Sequence, residues 1–219
     1  MKLKAQKPPS IKRTSRALKP KVEIVIACEG ANTEPWYFEE CVAEYGAGLV
    51  RLRVLNETGV PVTVVTDAIE EREKLLTKCR RSPNSFDACF RVWAVFDRDE
   101  HPRFEEAIAL AAKYKIDVAY SNPCFELWPL LHIENYGGQD GRHGIQRRLR
   151  KAMPKYDHEN GARIDFPLIK NQFHEAYERA KAHGSARVAE GDPFGCPSTS
   201  VSELVLKIVQ NGKGGFSRS

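Results

Sequence analysis

Val22–Cys28 reads VEIVIAC and runs into Glu29-Gly30; Phe90–Phe96 reads FRVWAVF and runs into Asp97-Arg98-Asp99. Both runs are short, apolar and rich in β-branched or aromatic residues. That pattern predicts strands buried on both faces, as in a parallel sheet. Between and after them the chain alternates in type. Thr33-Glu34-Pro35 offers Thr33 as an N-cap, with an acid and a proline in the first turn, opening a helix to about Tyr45. Leu49–Leu55 alternates apolar and polar residues, as a half-buried strand does. Val60–Thr66 reads as a further strand or an extended approach to a helix over Asp67–Cys79. Arg81–Asp87, with its Ser, Pro and Asn, reads as a loop. A helix over Arg103–Lys113 and a strand over Asp117–Tyr120 follow.

Strands alternating with helices predict an α/β fold, a mainly parallel sheet flanked by helices. Beyond residue 121 no further strand is expected. Phe125–His132, Arg142–Met153, Pro167–His183 and Val201–Gln210 read as helices, with Gly184 ending the third, so the C-terminal portion is helical. The expected organisation is a basic arm over 1–20, an α/β domain over 21–135, a helical extension over 136–212 and a tail over 213–219.

The chain has 219 residues, 42% hydrophobic and 29% charged, a composition of ordinary globular proteins. Its formal net charge of +5 is unevenly placed. Residues 1–20 carry Lys2, Lys4, Lys7, Lys12, Arg13, Arg16 and Lys19 and no acid, which predicts a flexible arm suited to nonspecific electrostatic contact. The remaining residues hold 27 basic and 29 acidic side chains, a slightly acidic body. No stretch of 18 apolar residues exists and none precedes residue 22, so neither a membrane span nor a secretory leader is expected. The six cysteines form no CxxC pair, which argues against a zinc site and for reduced thiols in the cytoplasm.

In open α/β sheets the chemistry sits at the carboxyl ends of the strands. Glu29 follows one strand, with Gly30 for a tight turn; Asp97 and Asp99 follow another. Alternate side chains share a face, so a D-x-D can aim both carboxylates one way. Paired carboxylates repel and commonly hold a divalent cation, and oxygen donors without a soft ligand suit Mg²⁺ or Mn²⁺. Glu126, at a loop–helix junction after the fourth strand, is a candidate further ligand or simply a first-turn acid. His101 either donates to a phosphate or leaving group, or shapes the turn before Pro102. Helix-start stabilisation is the expected role of Glu34. Cys124 lacks an assignable histidine partner, so no nucleophilic role is expected of it.

Arg142, Arg147, Arg148, Arg150 and Lys151 belong to the densest basic stretch of the body, with no acid between 141 and 156. On a helix, 147, 150 and 151 share one face, a candidate contact for a nucleic-acid backbone or a solvated charged surface. No motif for reading base sequence is present.

Four separated segments, IVIACEGANTEPWYFEE from Ile24, AVFDRDEH from Ala94, AYSNPCFELWPLLHIENY from Ala119 and GCPSTSVSELV from Gly195, resemble the RloB-like family. The resemblance spans about residues 22–210. That family is related to Toprim domains, and the resemblance implies a Mg²⁺-dependent nuclease of bacterial anti-phage defence, often encoded beside an ABC-type ATPase. It implies Glu29 as the first-strand glutamate, and Asp97 and Asp99 as the metal-binding pair. Two other readings compete: a haloacid-dehalogenase-type phosphatase, which also places a D-x-D after an apolar strand, and a non-catalytic partner module of an ATPase. DNA and RNA, tRNA included, are equally compatible substrates, and a homo-oligomer is compatible too.

Overall fold

The structure is a computed structural model; it describes residues 21–55, 59–82, 85–98, 101–138, 140–158 and 161–212. The basic arm, the C-terminal tail, Asp99 and Glu100 lie outside the described residues.

The chain folds as a mixed α/β protein around one five-stranded sheet. Strand β1 (Val22–Cys28) leads through helix α1 (Thr33–Tyr45) to β2 (Val50–Val54). Helix α2 (Pro61–Arg81) then leads to β3 (Phe90–Asp97), and α3 (Phe104–Tyr114) to β4 (Asp117–Asn122). The strand order is β2-β1-β3-β4-β5, with the first four parallel. The chain leaves β1 for β2 on one side and reaches β3 on the other. The crevice beyond β1 and β3 is therefore a topological switch point, where α/β sheets build their sites.

Alternation along the central strands sends side chains to two cores. Ile24, Ile26, Cys28, Trp93 and Val95 pack on one face with α1 and the C-terminal helices; Val25, Ala27, Val92, Ala94 and Phe96 pack on the other with α2 and α3. Burial on both faces explains why these strands read as continuous apolar runs.

The C-terminal part is helical: α4 (Leu127–Ile133), α5 (Arg142–Ala152), the single turn α6 (Phe166–Ile169), α7 (Phe173–Ala189) and α8 (Val201–Asn211). These helices share the larger core with the sheet. Trp128, fully buried, donates its indole N–H to the Tyr37 hydroxyl at 2.6 Å, and Tyr37 meets Phe125 and Phe166 edge-on. This aromatic knot ties α4 to α1 and fixes the segment that carries Glu126.

Several elements differ from expectation. Val60–Thr66 is not a strand: Pro61 occupies the first helical turn, and Val64, Val65, Ala68 and Leu75 form the buried stripe of one long helix. The β-branched residues suggested an extended chain, but packing on the sheet overrides so weak a propensity. A strand does exist beyond residue 121. Ser198–Thr199 form β5, antiparallel to β4, a two-residue pairing too short to leave a periodic signal. Ser200 stands at the N-cap of α8 but its side chain bonds β4 instead of the helix: its Oγ accepts from Tyr120 N–H at 3.0 Å and donates to Val118 C=O at 3.2 Å. The helix expected over Pro167–His183 breaks after Ile169 and restarts at Phe173. It then continues through Gly184 to Ala189, because a mid-helix glycine costs only about 1 kcal/mol relative to alanine. Thr33 is the first helical residue rather than a cap.

Candidate active site

Asp97 is the last residue of β3, and its parity with Trp93 and Val95 turns it toward the face that carries α1 and α4. Glu29 lies one residue beyond β1, its own N–H bonded to the Val95 carbonyl at 2.9 Å. The two strand ends are joined through the acid itself, since the Asp97 backbone N–H donates to Glu29 Oε2 at 3.0 Å. The other carboxylate oxygen of Glu29 accepts from His101 Nε2 at 3.1 Å. His101 therefore holds Glu29 from outside; it is not among the residues that line the cleft.

That cleft, about 350 Å³, lies between the ends of β1 and β3 and the segments before α1 and α4. Glu29, Glu34, Asp97, Glu126, Arg142 and His158 line it. Glu34 is the residue whose role differs most from expectation. Although it sits in the first turn of α1, it is buried and faces the other acids. Burial first, then Glu126 and Glu29, push its carboxyl up to about 7, against backbone hydrogen bonds from Glu34 itself and Gly30. Gly30 serves this residue. It does not adopt a positive φ; instead a Cβ there would come within 2.3 Å of Glu34 Oε2, so only glycine lets the carboxylate approach.

Asp97 shows the same physics. Burial, followed by repulsion from Glu34, Glu126 and Glu29, raises it well above the ordinary aspartate range, while Arg142 acts in the opposite direction. Arg142 reaches Asp97 Oδ2 with Nη2 at 3.3 Å. The expected grouping of Arg142 with the other basic residues of α5 is thus corrected: as the first residue of that helix it turns into the acidic cleft. Arg148 is held elsewhere, by Glu134 at 2.9 Å and over the Tyr136 ring. Arg147, Arg150 and Lys151 are exposed on α5.

Glu126 immediately precedes α4 and is buried. Its Oε1 accepts from the Tyr156 hydroxyl at 2.6 Å and lies 3.2 Å from His158 Nδ1, with Gln146 Nε2 at 3.5 Å. Tyr156, His158 and Gln146 carry no recognisable motif. Only the docking of α5 and the segment after it brings them to Glu126. Cys28 and Cys124 are buried nearby, and burial raises both thiols well above their ordinary range, so neither is a thiolate.

The donors around the cleft are carboxylate oxygens and the His158 imidazole, and four carboxylates face one guanidinium. The mutual repulsion that raises Glu34 and Asp97 is what a hard divalent cation would relieve, so the residues fit such an ion in charge and donor type. Among the described residues no three His, Cys, Asp or Glu side chains already converge on one point as a finished cage.

No helix of the described residues is long and apolar enough to cross a membrane. No curated protein and no solved structure matches the chain. The family model described as RloB-like protein matches residues 24–208, and the chain belongs to that family.

Proposed function

We propose that this member of the RloB-like family is a divalent-metal-dependent nuclease, cleaving phosphodiester bonds of DNA or RNA as the effector of a cytoplasmic anti-phage system. The observation that carries the proposal is the meeting of Glu29 and Asp97 across the switch point, with Glu34 and Glu126 in the same cleft. The family resemblance supplies the Toprim relationship, the defence role and the expectation of an ABC-type ATPase partner.

In this reading Asp97, Glu126 and Glu29, with Asp99, would hold Mg²⁺ or Mn²⁺, and Glu34 joins them as a fifth acid. When bound, such an ion supplies charge neutralisation at the scissile phosphate and a more acidic bound water. The protein's own groups do the rest. His101 fixes the orientation of Glu29, leaving its carboxylate to accept a proton or complete the metal shell. Arg142 keeps Asp97 oriented and brings positive charge to the phosphate's side of the cleft. Tyr156 and His158 hold Glu126 in place. No lysine lines the cleft among the described residues, which favours this reading over an aspartyl-phosphate phosphatase.

The test is the double substitution of Asp97 and Asp99 to Asn, assayed for nucleic-acid cleavage and for phage restriction. Both should be lost while the circular dichroism spectrum is retained. Retention of both activities in a folded variant rules the nuclease out, and labelling of Asp97 by a phosphomonoester would point to the phosphatase instead.

A further inference from the structure

The acidic cleft does not end at His158. That side chain also lines a second hollow of about 270 Å³ with His143, Arg147 and Arg150. Arg147 in turn lines a third, of about 520 Å³, together with Lys151. The first and second hollows share His158 and the second and third share Arg147, so the three follow one another along α5 in a track. From Arg142 in the cleft to Lys151, α5 advances about 14 Å, long enough to run beside more than one phosphate of a strand.

The cations of this track differ in availability. Arg148 is engaged by Glu134, and Arg150 stands 3.9 Å from Asp157. Among the described residues neither Arg147 nor Lys151 enters an ion pair. Both are exposed on a helix whose opposite face, Ile145, Gln146 and Leu149, is buried, so their positions are fixed by packing while their charges remain in solvent. Cations in such a row, beginning at a carboxylate cleft, match a chain of phosphates that has one member in the cleft. Among the described residues the track offers no exposed aromatic ring for stacking, which makes the backbone and not the bases the recognised element.

We infer that Arg147 and Lys151 bind phosphates flanking the scissile bond on the strand being cut, so that the substrate is a polynucleotide and not a mononucleotide or a small phosphodiester. This rests on the nuclease reading, yet it is tested without cleavage. Binding of a fluorescein-labelled single-stranded DNA of about 20 nucleotides to the full chain is followed by anisotropy in EDTA between about 50 and 200 mM salt. The same sequence as RNA and as duplex DNA forms the parallel arms. The Arg147→Ala/Lys151→Ala variant should bind at least about tenfold more weakly, and its log–log salt slope should fall by about 1.5, the share of two phosphate contacts. The basic arm is common to both proteins, so the difference reports α5 alone. Arg147→Lys/Lys151→Arg should restore the slope, which a merely misfolded double variant would not explain. The inference is overturned if the alanine variant matches the wild type in affinity and slope on all three probes, or if the wild type binds none of them. Loss of the nuclease reading would appear separately, as cleavage that survives Asp97→Asn.

Discussion

The carboxylate of Glu34 lies directly against Gly30, closer than any Cβ at position 30 would allow. The glycine that follows the first-strand acid is thus explained by an acid five residues after Glu29, in the first turn of α1. Gly30→Ala should force the Glu34 side chain out of the cleft. Because the atoms met are the movable end of a side chain, the expected cost is about 1 kcal/mol, the low end of overpacking, readable as a lower urea midpoint with unchanged m-value. Glu34→Ala on the same background should recover part of that loss, because the clash disappears with the carboxylate.

A protonation equilibrium follows from the same burial. The Glu34 carboxyl stands at about 7 in the folded protein against 4.5 for the unfolded reference. The folded state therefore holds a proton that the unfolded chain releases. Stability of the metal-free protein is highest below pH 4.5 as far as this group is concerned, falls as pH rises from 4.5 to 7, and is level above. The shift corresponds to about 3 kcal/mol. Glu34→Gln should flatten the decline between these limits in a series of chemical denaturation curves. An equally steep decline in that variant would place the proton elsewhere.

Divalent cations should reverse this trend. Glu34 and Asp97 are both raised by burial and by their neighbouring acids, so cation binding must displace protons. Millimolar Mg²⁺ or Mn²⁺ is expected to raise the melting temperature more at about pH 8 than at about pH 6, because binding to the folded state alone stabilises it. The Asp97→Asn variant should show little of this effect. Equal stabilisation at both pH values would mean that the raised acids take no part in binding.

Glu29 accepts two hydrogen bonds, one from Asp97 N–H and one from His101. Glu29→Gln can keep the first through its amide oxygen, so the fold should survive with a melting temperature close to wild type. Nuclease activity in the proposed mechanism should drop by about 10²-fold or more, the scale on which a positioned proton-transfer group contributes. His101→Ala should leave Glu29 in place but less ordered, with a smaller loss than Glu29→Gln. A larger loss for His101→Ala would give the histidine, and not the glutamate, direct contact with substrate.

The local pattern of the chain determined the layered fold and the first two acids. VEIVIAC and FRVWAVF are buried on both faces, a condition that writes itself into a continuous apolar run. Their carboxyl ends locate Glu29 and Asp97 without any knowledge of the rest. Helical periodicity likewise located α1, α3, α5 and α8 to within a residue or two, because each buries one stripe. Tertiary structure decided what local pattern cannot carry. Whether Val60–Thr66 is extended or helical depended on the sheet that α2 covers, and β5 exists only through its pairing with β4. Glu34 reads as an ordinary first-turn acid until the cleft encloses it, and Arg142 as one cation among several until α5 docks with its first turn at Asp97. Tyr156 and His158 come to Glu126 across 30 and 32 positions of sequence, by packing alone. Strand burial is written in consecutive residues and is therefore visible in one dimension; the convergence of charged groups from separate elements is set by packing in three, and no spacing records it.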